Sequence, residues 1–144
     1  MRTIVTVPVL TDAFAKLGVP LTLVNTAGLA VYVSGLRPYD PETGELVRGD
    51  IATQTDACMR ALTACLAAAD ATLDDVVNVR IYAANSGHYK TINEVYAGFF
   101  PDTAPTRVFV PVASWAGEFD IEIDAVAYRT ESRLSLIHIS EPTR

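Results

Sequence analysis

The order in which strand-like and helix-like segments follow one another is the feature that most constrains the fold of this chain. Short runs typical of β-strands occur in the N-terminal third, near residues 76–84 and twice near the C-terminus, and two helix-like segments lie among them. The resulting order is β-β-β-α-β-α-β-β. Two helices on one face of a mixed sheet are the economical packing for that order. The sequence therefore predicts an α+β fold whose other sheet face is partly bare and open to self-association.

The two predicted helices are bounded by residues at their ends. Asp50 can cap the first, which runs to about Ala69. The second begins at Ser86 or Tyr89, and Pro101 marks its end. The apolar stripe predicted for the first helix consists of Ile51, Cys58, Leu62, Cys65, Leu66 and Ala69.

The segments before the first helix are shorter and less regular. Residues 1–10 resemble a strand rather than a signal peptide, because no small-residue cleavage pattern follows the short apolar run. Residues 11–19 are irregular or weakly helical. The next sixteen-residue stretch, 20–35, is typical of two short strands around a turn at Ala27-Gly28, and a loop rich in Pro, Asp and Gly follows it.

Composition excludes several function classes. Half of the 144 residues are apolar, which is enough to build a core without disulfides or a metal. The formal net charge is -6, so the chain gains nothing from the electrostatic attraction that drives nucleic-acid binding. No apolar run approaches the roughly 18 residues of a membrane span. We expect neither nucleic acid nor a membrane as partner.

The cysteines and histidines argue against disulfides and metal sites. Cys58 and Cys65 would lie roughly 10 Å apart along one helix, too far for a disulfide. We expect reduced core thiols in a cytoplasmic protein. His88 and His138 are far apart and lack the spacing of metal ligands.

The C-terminal tail, residues 134–144, has a separate interpretation. Its sequence "LSLIHISEPTR" resembles the translation of a common sequencing-library adapter. A short natural extension is the alternative. We therefore expect a single domain over residues 1–133, exclude residues 134–144 from fold reasoning, and assign no function there.

The last two strand-like segments carry the most suggestive pair of charged residues. Taken as an antiparallel hairpin with its loop near residues 114–117, they pair Arg107 with Glu122, or with Asp124 if the loop centre moves by one residue. One face would then carry Arg107, Phe109, Asp120 and Glu122. The other face would carry Val108, Val110, Ile121 and Ile123.

Two chemical interpretations of this pair are open from spacing alone. An arginine beside a carboxylate can be an ordinary ion pair. Alternatively, the fork of Arg107 binds a substrate carboxylate in two places, and Glu122 manages a proton or a water.

Other candidates stand at strand and helix ends. Ser34-Gly35 ends a strand, where glycine permits close approach of a ligand or simply forms a turn. Asn93 faces either solvent or a ligand from the second helix. Trp115 and Phe119 line an apolar pocket or pack an interface.

The motifs together resemble the Rid (reactive intermediate deaminase) family, which is also called YjgF and whose older members are labelled L-PSP endoribonuclease. The matching segments are "VYVSGLRPYDPETGELVRGDIATQT", "TLDDVVNVRIY", "INEVYAGFF", "APTRVFV" and "DIEIDAVA". The resemblance implies a chorismate-mutase-like fold and a homotrimer with active clefts between subunits. It also implies cofactor-free and metal-free hydrolysis of 2-imino and 2-enamino acids to 2-oxo acids and ammonia.

The resemblance assigns roles by position. Arg107 matches the family's carboxylate-binding arginine. Glu122 matches the glutamate that positions the attacking water or supplies a proton near it. Ser34 and Gly35 match residues that line the cleft, and Asn93 matches the cleft asparagine on the second helix.

Three positions depart from the family pattern. Leu21 stands where archetypal members have tyrosine, Phe109 where they have cysteine, and Leu36 where glutamine is common. These changes make the cleft more apolar, which favours a larger substrate of the 2-aminomuconate type as an alternative. Arg37 is either a partner for a second carboxylate or a solvated loop residue.

Two further functions compete with the deaminase. One is a non-catalytic trimer that binds small ligands or acts as a chaperone, which the apolar changes at Leu21 and Phe109 motivate. The other is the ribonuclease of the older label. The acidic charge and the lack of a histidine pair or basic groove weigh against it.

Overall fold

The computed structural model describes residues 1–115 and 117–130. Within them, six strands and two long helices follow the predicted order, so the α+β fold is confirmed. The strands are β1 (Thr3–Val5), β2 (Val24–Ala27), β3 (Ala30–Leu36), β4 (Val76–Ala83), β5 (Thr106–Pro111) and β6 (Ile121–Tyr128). The helices are α1 (Leu10–Ala15), α2 (Ile51–Ala68) and α3 (Tyr89–Phe99), with 3₁₀ turns at Leu73–Asp75 and Ser86–His88. The proposed tail, residues 134–144, lies outside the described residues.

The helices follow from local sequence. The Asp50 carboxylate accepts a hydrogen bond from the Thr53 N–H at 2.8 Å, which caps α2 as predicted. Every residue of the predicted apolar stripe is buried, and both cysteines are free, as expected. The short helix α1 forms where we expected irregular or weakly helical chain. No helix in the described part of the chain is long and apolar enough to cross a membrane.

The six strands form one mixed sheet in the order β1-β2-β3-β6-β4-β5. Strands β4 and β5 are parallel, because α3 carries the chain back across the sheet between them. All other pairs are antiparallel. Strand β6 enters between β3 and β4, which leaves β5 at an edge.

The predicted β5–β6 hairpin is wrong, because β4 lies between these two strands. Arg107 is opposite Val79 of β4, whereas Glu122 is opposite Tyr82 of the same strand. Asp124 is paired with Arg80, so the shifted register is wrong as well. Consecutive strands often pair, but here the parallel neighbour takes the place of the hairpin partner.

The predicted division of side chains between the two sheet faces is wrong for the same reason. Arg107 and Phe109 share the helix-covered face with Ile121 and Ile123, whereas Val108 and Val110 share the opposite face with Glu122. The core lies on the helix side, where Val79, Ile81, Ile121, Ile123, Ala125 and Ala127 are buried. The other face carries exposed apolar groups, namely Tyr32 at 52%, Val108 at 49% and Tyr128 at 55% exposure.

Candidate active site

Arg107 is held by aromatic rings rather than by a carboxylate. Its side chain is partly buried on the helix side of edge strand β5. The guanidinium carbon lies 5.1 Å from the ring centroid of Tyr96 and 5.8 Å from that of Tyr89, and α3 supplies both rings. Among residues 1–115 and 117–130, no ion pair involves Arg107. Its fork of N–H donors therefore remains available to an anion.

A groove of about 310 Å³ opens beside this guanidinium. Its volume is at the lower end of the range for small-molecule sites. We call it the Arg107 groove. It is lined by Asn93, Tyr96, Ala97, Phe100, Ala104, Pro105 and Arg107. The structure thus brings two sequence-predicted site residues, Asn93 and Arg107, into one groove.

Two polar atoms of this groove have no hydrogen-bond partner within the described residues. They are Asn93 Oδ1 and the Tyr96 hydroxyl, and both are buried. A buried polar group without a partner costs about 1–3 kcal/mol. The Arg107 groove therefore combines one cation with two unsatisfied polar groups, an arrangement suited to a small polar ligand.

Tyr96 was not singled out from the sequence. Burial raises the pKa of its hydroxyl to about 12, against an opposing effect of the nearby Arg107 charge. The group is therefore a neutral hydrogen-bond donor at neutral pH. Its spacing of three residues from Asn93 on a helix was the available signal, since such residues lie on the same helix face.

Two of the three positions that depart from the family pattern, Phe109 and Leu21, lie in different places. Phe109 packs edge-to-face on Tyr89, with ring centroids 4.8 Å apart at 89°, and so supports a ring that flanks Arg107. Leu21 is 41% exposed and lines a separate groove near α1. Within one chain, Phe109 therefore lies in the surroundings of Arg107, whereas Leu21 lines a different groove.

Glu122 lies on the opposite face of the sheet, against Gly35 of β3. A Cβ atom built on Gly35 would overlap the Glu122 carboxylate, so only glycine leaves this space free. The pairing of β3 with β6 is irregular between Val33 and Leu36, which places Gly35 over Glu122. The close approach predicted for Gly35 is therefore made by a side chain of the same chain.

Ser34 and Asp120 fix the backbone around Glu122. The Ser34 hydroxyl donates to the Thr22 carbonyl at 2.6 Å, which ties β3 to the segment that follows Leu21. The buried Gln54 side chain of α2 donates to the Asp120 carboxylate at 3.1 Å and accepts from the Asp120 N–H at 2.8 Å. The start of β6 is thus anchored to α2 just before Glu122.

Opposing effects act on the pKa of Glu122. Burial raises that pKa above its ordinary value, and the Arg37 charge opposes burial. Asp124 raises it further, and the side chain of Trp115 lowers it. Partial burial with one nearby cation is a setting in which a carboxyl group can exchange protons closer to neutrality.

Arg37, Trp115 and Phe119 form one stack near Glu122. The guanidinium carbon of Arg37 lies 5.1 Å from the ring centroid of Phe119, and the Trp115 ring lies 5.0 Å from the same ring. We call Gly35, Arg37, Trp115, Phe119 and Glu122 the Glu122 cluster. No group of three or more His, Cys, Asp or Glu side chains in the described ranges could hold a metal ion.

The family model described as Endoribonuclease L-PSP matches residues 19–129. The chain belongs to the L-PSP family, also called YjgF or Rid. It is 38% identical to a RutC family protein of Pyrococcus horikoshii over 110 residues, which are 76% of this chain and 87% of that protein.

Two other L-PSP relatives carry more informative names. Reactive Intermediate Deaminase A of Arabidopsis thaliana is 34% identical over 113 residues, which are 78% of this chain and 60% of that protein. The crystal structure of Escherichia coli TdcF with bound serine superposes with a TM-score of 0.72 at 31% identity, covering 78% of this chain and 90% of TdcF.

In this L-PSP chain, the two candidate groups cannot meet on one small ligand. Arg107 and Glu122 lie on strands separated by β4, about 9.6 Å apart across the sheet, and are offset by three residues, about 10 Å, along it. Their side chains also leave opposite faces. The Arg107 groove can bind a small anion, and the Glu122 cluster can move a proton, but one chain does not bring them together.

Proposed function

We propose that this L-PSP-family protein hydrolyses 2-imino acids and their 2-enamino tautomers to 2-oxo acids and ammonia, in the cytoplasm and without a cofactor. The single observation that carries the proposal is the Arg107 guanidinium, which two tyrosine rings hold beside a groove and which has no carboxylate partner in the described chain. The deaminase name of the Arabidopsis relative supports it.

Substrate binding begins with the carboxylate. The two-pronged Arg107 fork binds its two oxygens, which fixes the position of C2 next to the carboxylate. C2 of an imine is already electrophilic, so positioning and proton transfer are the main contributions required.

Hydrolysis then needs a water and two proton transfers. Glu122 takes a proton from the water. At the same time the water oxygen bonds to C2, and the C=N electron pair moves to nitrogen. Glu122 returns this proton to nitrogen, then takes the hydroxyl proton and delivers it to nitrogen as well. The C=O bond forms as the C–N bond breaks, and ammonia leaves. For an enamine, Glu122 first delivers a proton to C3, which gives the imine. One acid-base residue of this kind typically increases the reaction rate about 10²–10⁴-fold.

A complete site requires a second copy of the chain. Arg107 and Glu122 are too far apart in one chain, so we assign Arg107 to one copy and Glu122 to its neighbour in a homotrimer. The exposed apolar side chains on the bare sheet face supply a surface for such an assembly.

The Arg107→Ala variant tests the carboxylate clamp. We expect its kcat/KM to fall about 100-fold or more, because two charge-assisted hydrogen bonds are lost. The measurement is the decay of 2-aminoacrylate generated in situ, above the spontaneous rate. Arg60→Ala removes a partly exposed guanidinium that pairs with Asp56 on α2 and should keep full activity. Wild-type rates in Arg107→Ala, with the assembly intact, would contradict the clamp.

A larger substrate of the 2-aminomuconate type is the second candidate. Two features favour this larger substrate. One is the aromatic Phe109–Tyr89 pair beside Arg107. The other is the Arg37 cation beside Glu122, which offers a partner for a second carboxylate. A higher kcat/KM for 2-aminomuconate than for 2-aminoacrylate would select it. Saturable carboxylate binding without turnover of either imine would select the non-catalytic binding or chaperone trimer instead.

The ribonuclease implied by the family description is a separate outcome. A net charge of -6 works against binding a polyanion. RNA cleavage that survives exhaustive purification and is lost in Glu122→Gln would favour the ribonuclease over the deaminase.

A further inference from the structure

We propose that Tyr96 is a substrate-binding residue that contacts the substrate carboxylate together with Arg107. Its hydroxyl donates a hydrogen bond to an oxygen of the same carboxylate that the Arg107 fork binds. The substrate named here rests on the proposed function, but the contact itself concerns any small carboxylate in the Arg107 groove.

The placement of Tyr96 carries the inference. The residue is only 4% exposed, and its ring lies 5.1 Å from the Arg107 guanidinium carbon. The hydroxyl is buried and has no hydrogen-bond partner within residues 1–115 and 117–130. Because the residue also lines the Arg107 groove, an anion bound to Arg107 would lie next to the side chain that carries this unused donor.

The surroundings keep this donor in place. The Tyr96 ring packs against Phe100 with centroids 5.0 Å apart, and Phe100 lines the same groove. Burial holds the pKa of the hydroxyl at about 12, so it stays protonated wherever the substrate carboxylate is ionised. A structural hydroxyl usually has a partner in the protein, and within residues 1–115 and 117–130 this one has none.

Stability and binding should respond to Tyr96→Phe in opposite directions. The change removes one buried, unpaired hydroxyl and keeps the ring over Arg107, so the melting temperature should stay the same or rise. Binding of 2-oxobutanoate, an unreactive acid of the product class, should weaken about tenfold, the size of one hydrogen bond to a charged group. Titration calorimetry on the full chain measures this dissociation constant.

Three comparisons make the test specific. Tyr39→Phe is the matched control, because Tyr39 packs on Phe14 away from the groove, and it should leave binding unchanged. In turnover, Tyr96→Phe should raise KM about tenfold and change kcat less than about threefold, since the contact is made to substrate and transition state alike. The preference for 2-oxobutanoate over its neutral amide should also fall in the variant, which a structural role would not produce.

The outcomes separate this inference from the deaminase proposal. If no imine is hydrolysed but Tyr96→Phe weakens 2-oxobutanoate binding, the inference stands and the deaminase fails. If imines are hydrolysed and Tyr96→Phe keeps the wild-type KM and dissociation constant, the inference is overturned. A drop in melting temperature with unchanged binding overturns it too, as does a wild-type chain that does not bind 2-oxobutanoate.

Discussion

At the scale of single residues, the arginines differ in what satisfies their charge. Arg129 is buried and donates to the carbonyls of Ala69 and Gly28, and Arg80 pairs with Asp124 at 2.9 Å. These contacts join parts of the fold, so both residues have structural roles. Within the part of the chain that the structure describes, ring faces flank the Arg107 guanidinium and no ion pair involves it. The rings offset part of the desolvation cost but leave the N–H donors unused. That contrast is what we expect between a ligand-binding arginine, as we propose for Arg107, and a structural one.

The pH dependence of turnover should report Glu122. In hydrolysis of a 2-imino acid Glu122 acts as the general base and must be ionised, so kcat/KM for that substrate should rise with pH through a pKa above the ordinary value of 4.5 and then level off. Arg37→Met removes the charge that lowers this pKa, so the midpoint of the rise should move to higher pH. Rate measurements from pH 4 to about 8 check both statements.

Controls for this profile come from the same chain. Arg60→Met should leave the midpoint in place, and Glu122→Gln should abolish the rise. A midpoint that moves to lower pH in Arg37→Met would contradict the arrangement. Because the folded carboxyl binds its proton more tightly than the unfolded one, its contribution to stability falls as pH rises between the two pKa values and is constant above them.

At the scale of elements, the irregular pairing of β3 with β6 positions Glu122, the acid-base group we propose. Strand β3 departs from regular register between Val33 and Leu36, so Ser34 and Gly35 lie over β6 where Glu122 leaves the sheet. Such irregularities occur often beside functional sites, where they re-aim a side chain. Because Gly35 has no side chain, the Glu122 carboxylate can lie against β3.

The Gly35→Ala variant should therefore displace Glu122 without unfolding the protein. The added methyl group overlaps the flexible end of the Glu122 side chain, which can rotate away. We expect kcat to fall nearly as far as in Glu122→Gln, with a change in unfolding free energy of about 1 kcal/mol or less. Turnover and thermal unfolding measure the two effects.

Gly98→Ala is the matched control for that variant. Gly98 lies in α3, and nothing lies within 4 Å of a Cβ built there. The control should stabilise the helix by about 0.5–1 kcal/mol and keep full activity. Wild-type turnover in Gly35→Ala would show that the position of Glu122 does not limit the reaction.

At the scale of the whole molecule, the sheet separates the two candidate groups. The Arg107 groove opens on the helix side at the β5 edge, and Glu122 lies on the bare side, three residues further along the strands. Exposed Tyr32, Val108 and Tyr128 on the bare side are apolar groups that a second copy can cover. The active unit we propose is therefore an assembly rather than one chain.

Complementation between inactive variants tests this composite site. Co-expressed Arg107→Ala and Glu122→Gln chains should recover about a quarter of wild-type activity, because one interface in four then combines an intact Arg107 with an intact Glu122. Each variant expressed alone should stay inactive. The measurement is turnover of 2-aminoacrylate by the purified mixed assembly, and no recovery in a confirmed mixed trimer would place both groups in one chain.

Some features of the site were accessible from the sequence and others were not. The position of Arg107 at the start of a strand and that of Asn93 on a helix could be predicted, because each depends on local pattern. That Arg107 and Asn93 line the same groove depends on how α3 packs against the sheet. Tyr96 was missed because an unpaired hydroxyl is a property of its surroundings and has no sequence motif.

The sequence alone determined the six strands and the two long helices, their order, the cap at Asp50 and the buried stripe of α2. These features follow from interactions between residues a few positions apart, which the period of apolar side chains records. Only the tertiary structure decided which strands are neighbours. Strand pairing joins residues distant in sequence, and inserting β6 beside β4 moved Arg107 and Glu122 to opposite faces. A change of neighbour leaves the local pattern of each strand untouched, so that pattern could not reveal it.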